Sequence, residues 1–418
     1  MRIVAYHPAL DARGGAELLM VAQMRQLAAA GHDVRLVLLE YAPGKWAEDV
    51  AGMPVDHVAR DWREAWLHRK SWRRLAARSA RVAPRLHDAD VVVAYNYPSS
   101  ALLGYVDVPN VVWHCCEPSR AIHLETANPE LASRLEDRFD ARPRAIAWYR
   151  HERNYHRQRS RIHHVERLRD REGVAKARKM IAISEYAAGL VRGTYARNPD
   201  VVIPPMVKFP RSIHRGSGLH GDGLHVLLHT RLQAHKNADT VIRGFSMYLK
   251  RDPRATLDVV GEGPETDFLV GLAAELGAAD AVRFHGFLDQ AGLENVYRRC
   301  DVLACLPMDE PFGMIFPEAA ARGLLLIGPD HGGPVEILDG GKLGRLVDAL
   351  SPDALADAFA ETARLDAGEV DRRRAATDRA CRHRYSHERV GADLESALLR
   401  FAHEFRAGVV RGACAPER

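Results

Sequence analysis

At 418 residues and 47% hydrophobic composition, the chain exceeds what one hydrophobic core serves, so two domains of ordinary size are expected. A formal net charge of +4, from 59 basic and 55 acidic side chains, and the lack of a recognition motif argue against a nucleic-acid binder. The six cysteines (Cys115, Cys116, Cys300, Cys305, Cys381 and Cys414) show no C-x-x-C or metal-ligand spacing, which predicts reduced, packed thiols and implies no structural zinc.

MRIVAYHPAL opens as a strand without a long apolar signal core, and no apolar run is long enough to span a bilayer. A soluble, cytoplasmic protein is therefore expected. An Ala/Leu-rich helix over about 16–30, Gly31 and the strand VRLVLLE complete an opening β-α-β unit. Further strands are predicted in DVVVAY near Asp90, NVVWH near Asn110 and KMIAIS near Lys179, then in HVLLHT, ATLDVV, AVRFHG, DVLACL and LLLIG. Short runs apolar on both faces, alternating with helices, predict α/β domains with parallel, doubly wound sheets. Residues 204–223 are rich in Pro and Gly and read as a linker. The expected division is 1–205, a linker at 206–223, a second domain at 224–385, and a tail at 386–418 that is helical over about 387–403.

Ligands of open parallel sheets bind beyond the carboxyl ends of the strands, so chemistry is sought in the loops that follow them. The stretch 309–323, DEPFGMIFPEAAARG, sets two glutamates eight positions apart around such a loop. Pro317 suits the first position of a helix, which places Glu318 in the first turn and the amides of Gly313, Met314 and Ile315 just upstream. Unpaired amides and acceptor-only carboxylates together suit a ligand carrying both phosphate and hydroxyls, while an acidic helix start is the plainer alternative for Glu318. Gly14 and Gly15 follow the first strand and precede a helix, where the backbone can approach a diphosphate or simply make a tight turn. Arg231 and Lys236 follow the HVLLHT strand. Asp88 and Asp90 form the only D-x-D, but they precede a strand and read as a solvated turn.

Six segments in order carry a resemblance: HTRLQAHKN (229–237), VVGEGPE (259–265), FHGFL (284–288), YRRCDVLACLP (297–307), the paired-glutamate stretch, and HGGPVEIL (331–338). Over 226–347 the chain resembles the donor-binding half of the GT-B glycosyltransferases of family 4. The first half is similar more thinly, through GGAE (14–17), WHCCEPSR (113–120) and AISEY (182–186). The resemblance implies two Rossmann-like domains facing across a cleft, the first binding the acceptor and the second the donor, with the C-terminal helix crossing back.

It also implies a retaining, metal-independent hexosyltransferase that moves sugar from a UDP- or GDP-sugar to an acceptor hydroxyl. No cofactor is implied, because the nucleotide sugar is a substrate. Arg231 and Lys236 are assigned to the donor diphosphate and Glu318 to the ribose. Glu310 and the amides of Phe312, Gly313 and Met314 are assigned to the hexose, and Gly286 and Phe287 to the nucleobase loop. Glu265 and Glu336 read as capping or loop residues. Relatives often carry C-H-x-P after a first-domain strand, whereas this chain reads His114, Cys115, Cys116, Glu117, Pro118. Either His114 takes the sugar-contacting role through a small register change, joining Glu310, Arg231 and Lys236 as a catalytic residue, or that contact is absent.

Residues 60–85 hold nine Arg or Lys against two acids, interleaved with Trp62, Trp66 and Trp72, and a second Arg-rich stretch spans 134–171. The first segment suits a solvated helix, an anionic acceptor or an anionic membrane surface. Acceptor choice among glycans, lipid-linked sugars or small molecules is expected to lie in these stretches. A GT-B epimerase, a phosphorylase and a non-catalytic nucleotide-sugar-binding module are the rival functions. The opening loop DARGGAE lacks G-x-G-x-x-G, which disfavours a dinucleotide-dependent oxidoreductase.

Overall fold

The computed structural model describes residues 1–10, 14–57, 72–120, 122–123, 144, 160–210, 219 and 221–408. Thirteen described strands form two all-parallel sheets. The first contains β1 (Arg2–Leu10), β2 (Asp33–Tyr41), β3 (Val55–His57), β4 (Val91–Tyr95), β5 (Val111–Cys115), β6 (Lys179–Ala182) and β7 (Val201–Val202), ordered β3-β2-β1-β4-β5-β6-β7. The second contains β8 (His225–His229), β9 (Thr256–Val260), β10 (Val282–Phe284), β11 (Val302–Ala304), β12 (Leu325–Pro329) and β13 (Arg345–Val347), ordered β10-β9-β8-β11-β12-β13. The strand order therefore reverses between β1 and β4 in one sheet and between β8 and β11 in the other. Such reversals leave a crevice at the carboxyl ends of the two diverging strands.

Every residue of β4, β5, β11 and β12 is buried, as expected of central strands covered on both faces. The sequence reading did not anticipate β3, β7 and β13. All three are edge strands of two or three residues, too short to display a periodicity.

The two domains are joined twice. Residues 203–210 lead into the second domain, and the helix Ala367–Tyr385 leads out of it through Ser386 to the helix His387–Arg406. The two crossings run side by side: Val207 pairs with Ser386, and the Val207 N–H donates to the Tyr385 carbonyl at 2.8 Å. Val390, Leu394, Leu398 and Phe401 of the returning helix are buried in the core of the first domain. The helix thus belongs by packing to the domain farther from it in sequence.

The carboxyl ends of the two sheets face one another. Ser184, just beyond β6, donates its hydroxyl to the Pro311 carbonyl beyond β11 at 2.5 Å. Glu336, beyond β12, accepts from the Glu185 and Tyr186 amides at 2.9 and 2.6 Å. Among the described residues no helix is long and apolar enough to cross a membrane. Of the basic stretch 60–85, residues 60–71, including Trp62 and Trp66, lie outside the described residues, whereas Trp72–His87 is helical. The stretch 134–171 is described only at Arg144 and from Ser160, where the helix Ser160–Lys176 begins.

Candidate functional site

The site is built around the reversal of the second sheet, where the loop after β8 and the loop after β11 emerge together. Lys236 comes from the first loop and Glu310 from the second, and they form an ion pair of 2.6 Å. Both side chains are largely but not fully buried, at 15% and 20% exposure, so the pair is reachable by a ligand. Arg231 lies exposed on the same loop as Lys236 and has no ion-pair partner among the described residues. The His235 imidazole on the same loop is pushed down to about 3 by burial and then by the charges of Arg120, Lys236 and Arg231, which keeps it neutral.

The helix beyond β11 runs Ile315–Ala320, so it opens two residues earlier than Pro317. Met314 already has helical dihedrals, and the Glu318 N–H donates to the Met314 carbonyl at 3.2 Å. Pro317 is tolerated because the first-turn N–H that it lacks would have no helical partner in any case. Gly313 makes the preceding turn at φ +100, and a Cβ there would stand 2.9 Å from the Phe316 ring. The amides of Phe312, Gly313, Met314 and Ile315 have no acceptor among the described residues. The Phe312 ring is buried edge-on against Tyr385 at 5.2 Å, so this residue offers its backbone alone.

Glu318 lies half-buried on that helix, and its carboxylate accepts no hydrogen bond among the described residues. Burial raises its pKa, with the Arg322 charge opposing. Arg322 is itself held by Glu294 at 2.5 Å and over the Tyr297 ring at 4.7 Å. Beyond β10, Gly286 takes φ +63 and the Phe287 N–H donates to Glu262 at 3.0 Å, leaving the Phe287 ring 80% exposed at the sheet end.

The first domain faces this site with residues beyond β5 and β6. Arg120 donates to Glu117 at 2.9 Å and lies 3.8 Å from Asp309, and the Tyr186 hydroxyl donates to Asp309 at 3.0 Å. Arg120, Tyr186, Ser184 and Asp309 carried no functional assignment at the sequence level, although each lies within or beside a segment quoted for the resemblance. Gly14 and Gly15 open the helix Gly15–Ala29 at the carboxyl end of β1, and nothing lies within 4 Å of the Gly15 Cβ position. Among the described residues neither glycine hydrogen-bonds to the second domain.

His114, next to last on β5, has no exposed surface; it stacks on the Tyr95 ring at 4.9 Å, with Nε2 3.1 Å from the Gln23 amide. Burial pushes its pKa down to about 3. The structure thus gathers Arg231, Lys236, Glu310 and the 312–315 amides, sets Glu318 along the adjoining helix, and leaves His114 beneath the surface of the first domain. Cys116 is partly exposed and its N–H donates to Asn96 at 2.7 Å. Glu336 caps a helix, as expected, but one in the other domain. Glu265 stands at the N-cap position of the helix Thr266–Glu275, also as expected, but its side chain binds Arg144 at 2.7 Å and caps no amide.

Residues 211–380 match the family model described as glycosyl transferases group 1. The chain is 36% identical over 216 residues to a D-inositol 3-phosphate glycosyltransferase of Actinosynnema mirum, covering 45% of this chain and 52% of that one. It is 36% identical over 140 residues to a GDP-mannose-dependent alpha-(1-6)-phosphatidylinositol monomannoside mannosyltransferase of Mycobacterium tuberculosis, covering 32% and 36%. The chain thus spans about half the length, or less, of these curated relatives. Over nearly its whole length it superposes on Anabaena HepE in complex with UDP and glucose, with TM-score 0.69, 17% identity, and coverage of 96% and 99%. Sucrose-phosphate synthase of Thermosynechococcus elongatus gives TM-score 0.68, 17% identity, and coverage of 96% and 98%. At that identity these two show the shared fold. Residues 211–380 thus match the glycosyl transferases group 1 family, and over nearly its whole length the chain has the GT-B fold.

Proposed function

We propose that the chain is a retaining, metal-independent glycosyltransferase of family 4, moving a hexosyl group from a UDP- or GDP-sugar to an acceptor hydroxyl. The observation that carries this reading is the 2.6 Å Lys236–Glu310 pair at the strand-order reversal, beside the unpaired Arg231 and four free amides. Breaking the bond from an anomeric carbon to a diphosphate releases negative charge on phosphate oxygen, and preorganised cations stabilise that charge without reorganising. Lys236 and Arg231 take this role, while Glu310 and the 312–314 amides take the hexose, Glu318 the ribose, and Gly286 and Phe287 the base. The glycine turn at Gly14 and Gly15 closes over the diphosphate from the first domain.

A thermal-shift panel of nucleoside diphosphates and their sugars tests the ligand class, since a ligand at a hundredfold excess over Kd stabilises by about 2.7 kcal/mol. Arg231→Ala and Lys236→Ala are each expected to lower turnover ~10²- to 10³-fold. Wild-type turnover in both variants would remove the diphosphate from this loop. EDTA should leave turnover unchanged, and NMR of the product should show the donor's anomeric configuration. Acceptor choice is placed in the first domain, with the basic segment 60–85 as the contact for an anionic acceptor or membrane. Flotation with anionic liposomes checks the latter.

A further inference from the structure

We propose that Tyr186, Ser184 and Arg120 of the first domain are positioning residues for the Glu310 carboxylate, so that Glu310 grips a sugar hydroxyl only while the two domains are in contact. The proposal rests on the reading of Glu310 as the hexose ligand and adds which residues aim it.

Both sequence neighbours of Glu310 are tied across the domain boundary. Asp309 is buried and accepts from the Tyr186 hydroxyl at 3.0 Å, with the Arg120 guanidinium 3.8 Å from its other oxygen. The Pro311 carbonyl accepts from the Ser184 hydroxyl at 2.5 Å. The second domain holds Glu310 itself, by the Gly333 N–H on its carbonyl at 2.8 Å and by Lys236 on its carboxylate. The tying groups are themselves fixed. Glu336 accepts from the Tyr186 amide at 2.6 Å, Ser184 accepts from the Ala187 amide at 2.9 Å, and Glu117 holds Arg120 at 2.9 Å. Burial and the Asp309 charge raise the Tyr186 pKa far above its ordinary value, so the phenol remains a donor at working pH.

A buried carboxylate that loses its donor is costly, so Asp309 keeps its place only while the first domain supplies one. Opening the domains releases the 309–311 backbone and with it the aim of Glu310. Arg231, Lys236, Phe287 and Glu318 all belong to the second domain, so the nucleotide portion keeps its side-chain contacts there when Glu310 loses its aim. The prediction is a split between nucleotide and sugar.

The test is calorimetric titration of the full chain with UDP, GDP, UDP-glucose and GDP-mannose. Tyr186→Phe deletes only the hydroxyl. It is expected to weaken the nucleotide sugar that wild type prefers by about five- to tenfold and to leave the matching bare diphosphate within about twofold. Asp309→Ala should reproduce the split. Asp309→Asn, which keeps an acceptor for the phenol, should restore most of the affinity. An equal loss for diphosphate and sugar, or no loss for either, overturns the proposal. Wild type binding none of the four ligands overturns the underlying reading of the site and the proposal with it.

Discussion

His114 carries no exposed surface, and its neutral ring is held between Tyr95 and Gln23. Its pKa lies near 3 in the folded chain against an ordinary 6.5, so between those values the unfolded chain binds a proton that the folded chain does not. Stability is therefore retained above pH 6.5 and lost as pH falls below it, by up to about 2 kcal/mol at pH 5 from this residue. His229, pushed down to about 4, and His235, pushed down to about 3, act in the same direction. Melting curves at pH 7, 6 and 5 are expected to show a falling Tm, with a shallower slope in His114→Leu. Glu318 shifts the other way: burial raises its pKa, so ionisation near neutral pH opposes folding. Glu318→Gln should raise the Tm at pH 7 while weakening binding of the nucleoside portion about tenfold, and thermal shift with and without ligand reads both effects. These residue types and the loops that carry them were legible in the sequence. That one histidine would be sealed and another kept neutral was not, because burial is set by distant packing.

At the scale of elements, the helix Glu185–Tyr195 depends on both domains. Its N-cap Ser184 accepts from the Ala187 amide within the first domain, while Glu336 of the second takes the two preceding amides, those of Glu185 and Tyr186. Ser184→Ala is expected to cost about 1 kcal/mol from the cap alone. Glu336→Ala leaves two donors unpaired at the domain boundary and should cost about 1–2 kcal/mol. Urea unfolding checks both, and X-ray scattering of Glu336→Ala should show a larger radius of gyration. The central strands were readable because each is a dense apolar run, whereas β3, β7 and β13 borrow their conformation from a neighbouring strand. The start of the helix Ile315–Ala320 shifted for a related reason. The turn at Gly313 sets where the backbone begins to coil, and Pro317 merely fits inside the first turn.

For the whole molecule, the helix His387–Arg406 links the stability of the two domains, because it leaves one domain and completes the core of the other. Phe401 lies in that core. Phe401→Ala is expected to cost about 3–5 kcal/mol and to lower the Tm of the first domain, which residue-resolved hydrogen exchange would separate from the second.

Taken alone, the sequence determined the alternation of strands and helices, the two-domain class and the loops that carry charge. Those properties reside in a few consecutive residues: apolar runs, Gly and Pro punctuation, and carboxylates beside a turn. Only the tertiary structure decided which of those groups meet. Lys236 and Glu310 are 74 residues apart and Tyr186 and Asp309 are 123 apart. Contacts at that separation depend on strand order and on how two sheets dock, and no local pattern encodes either.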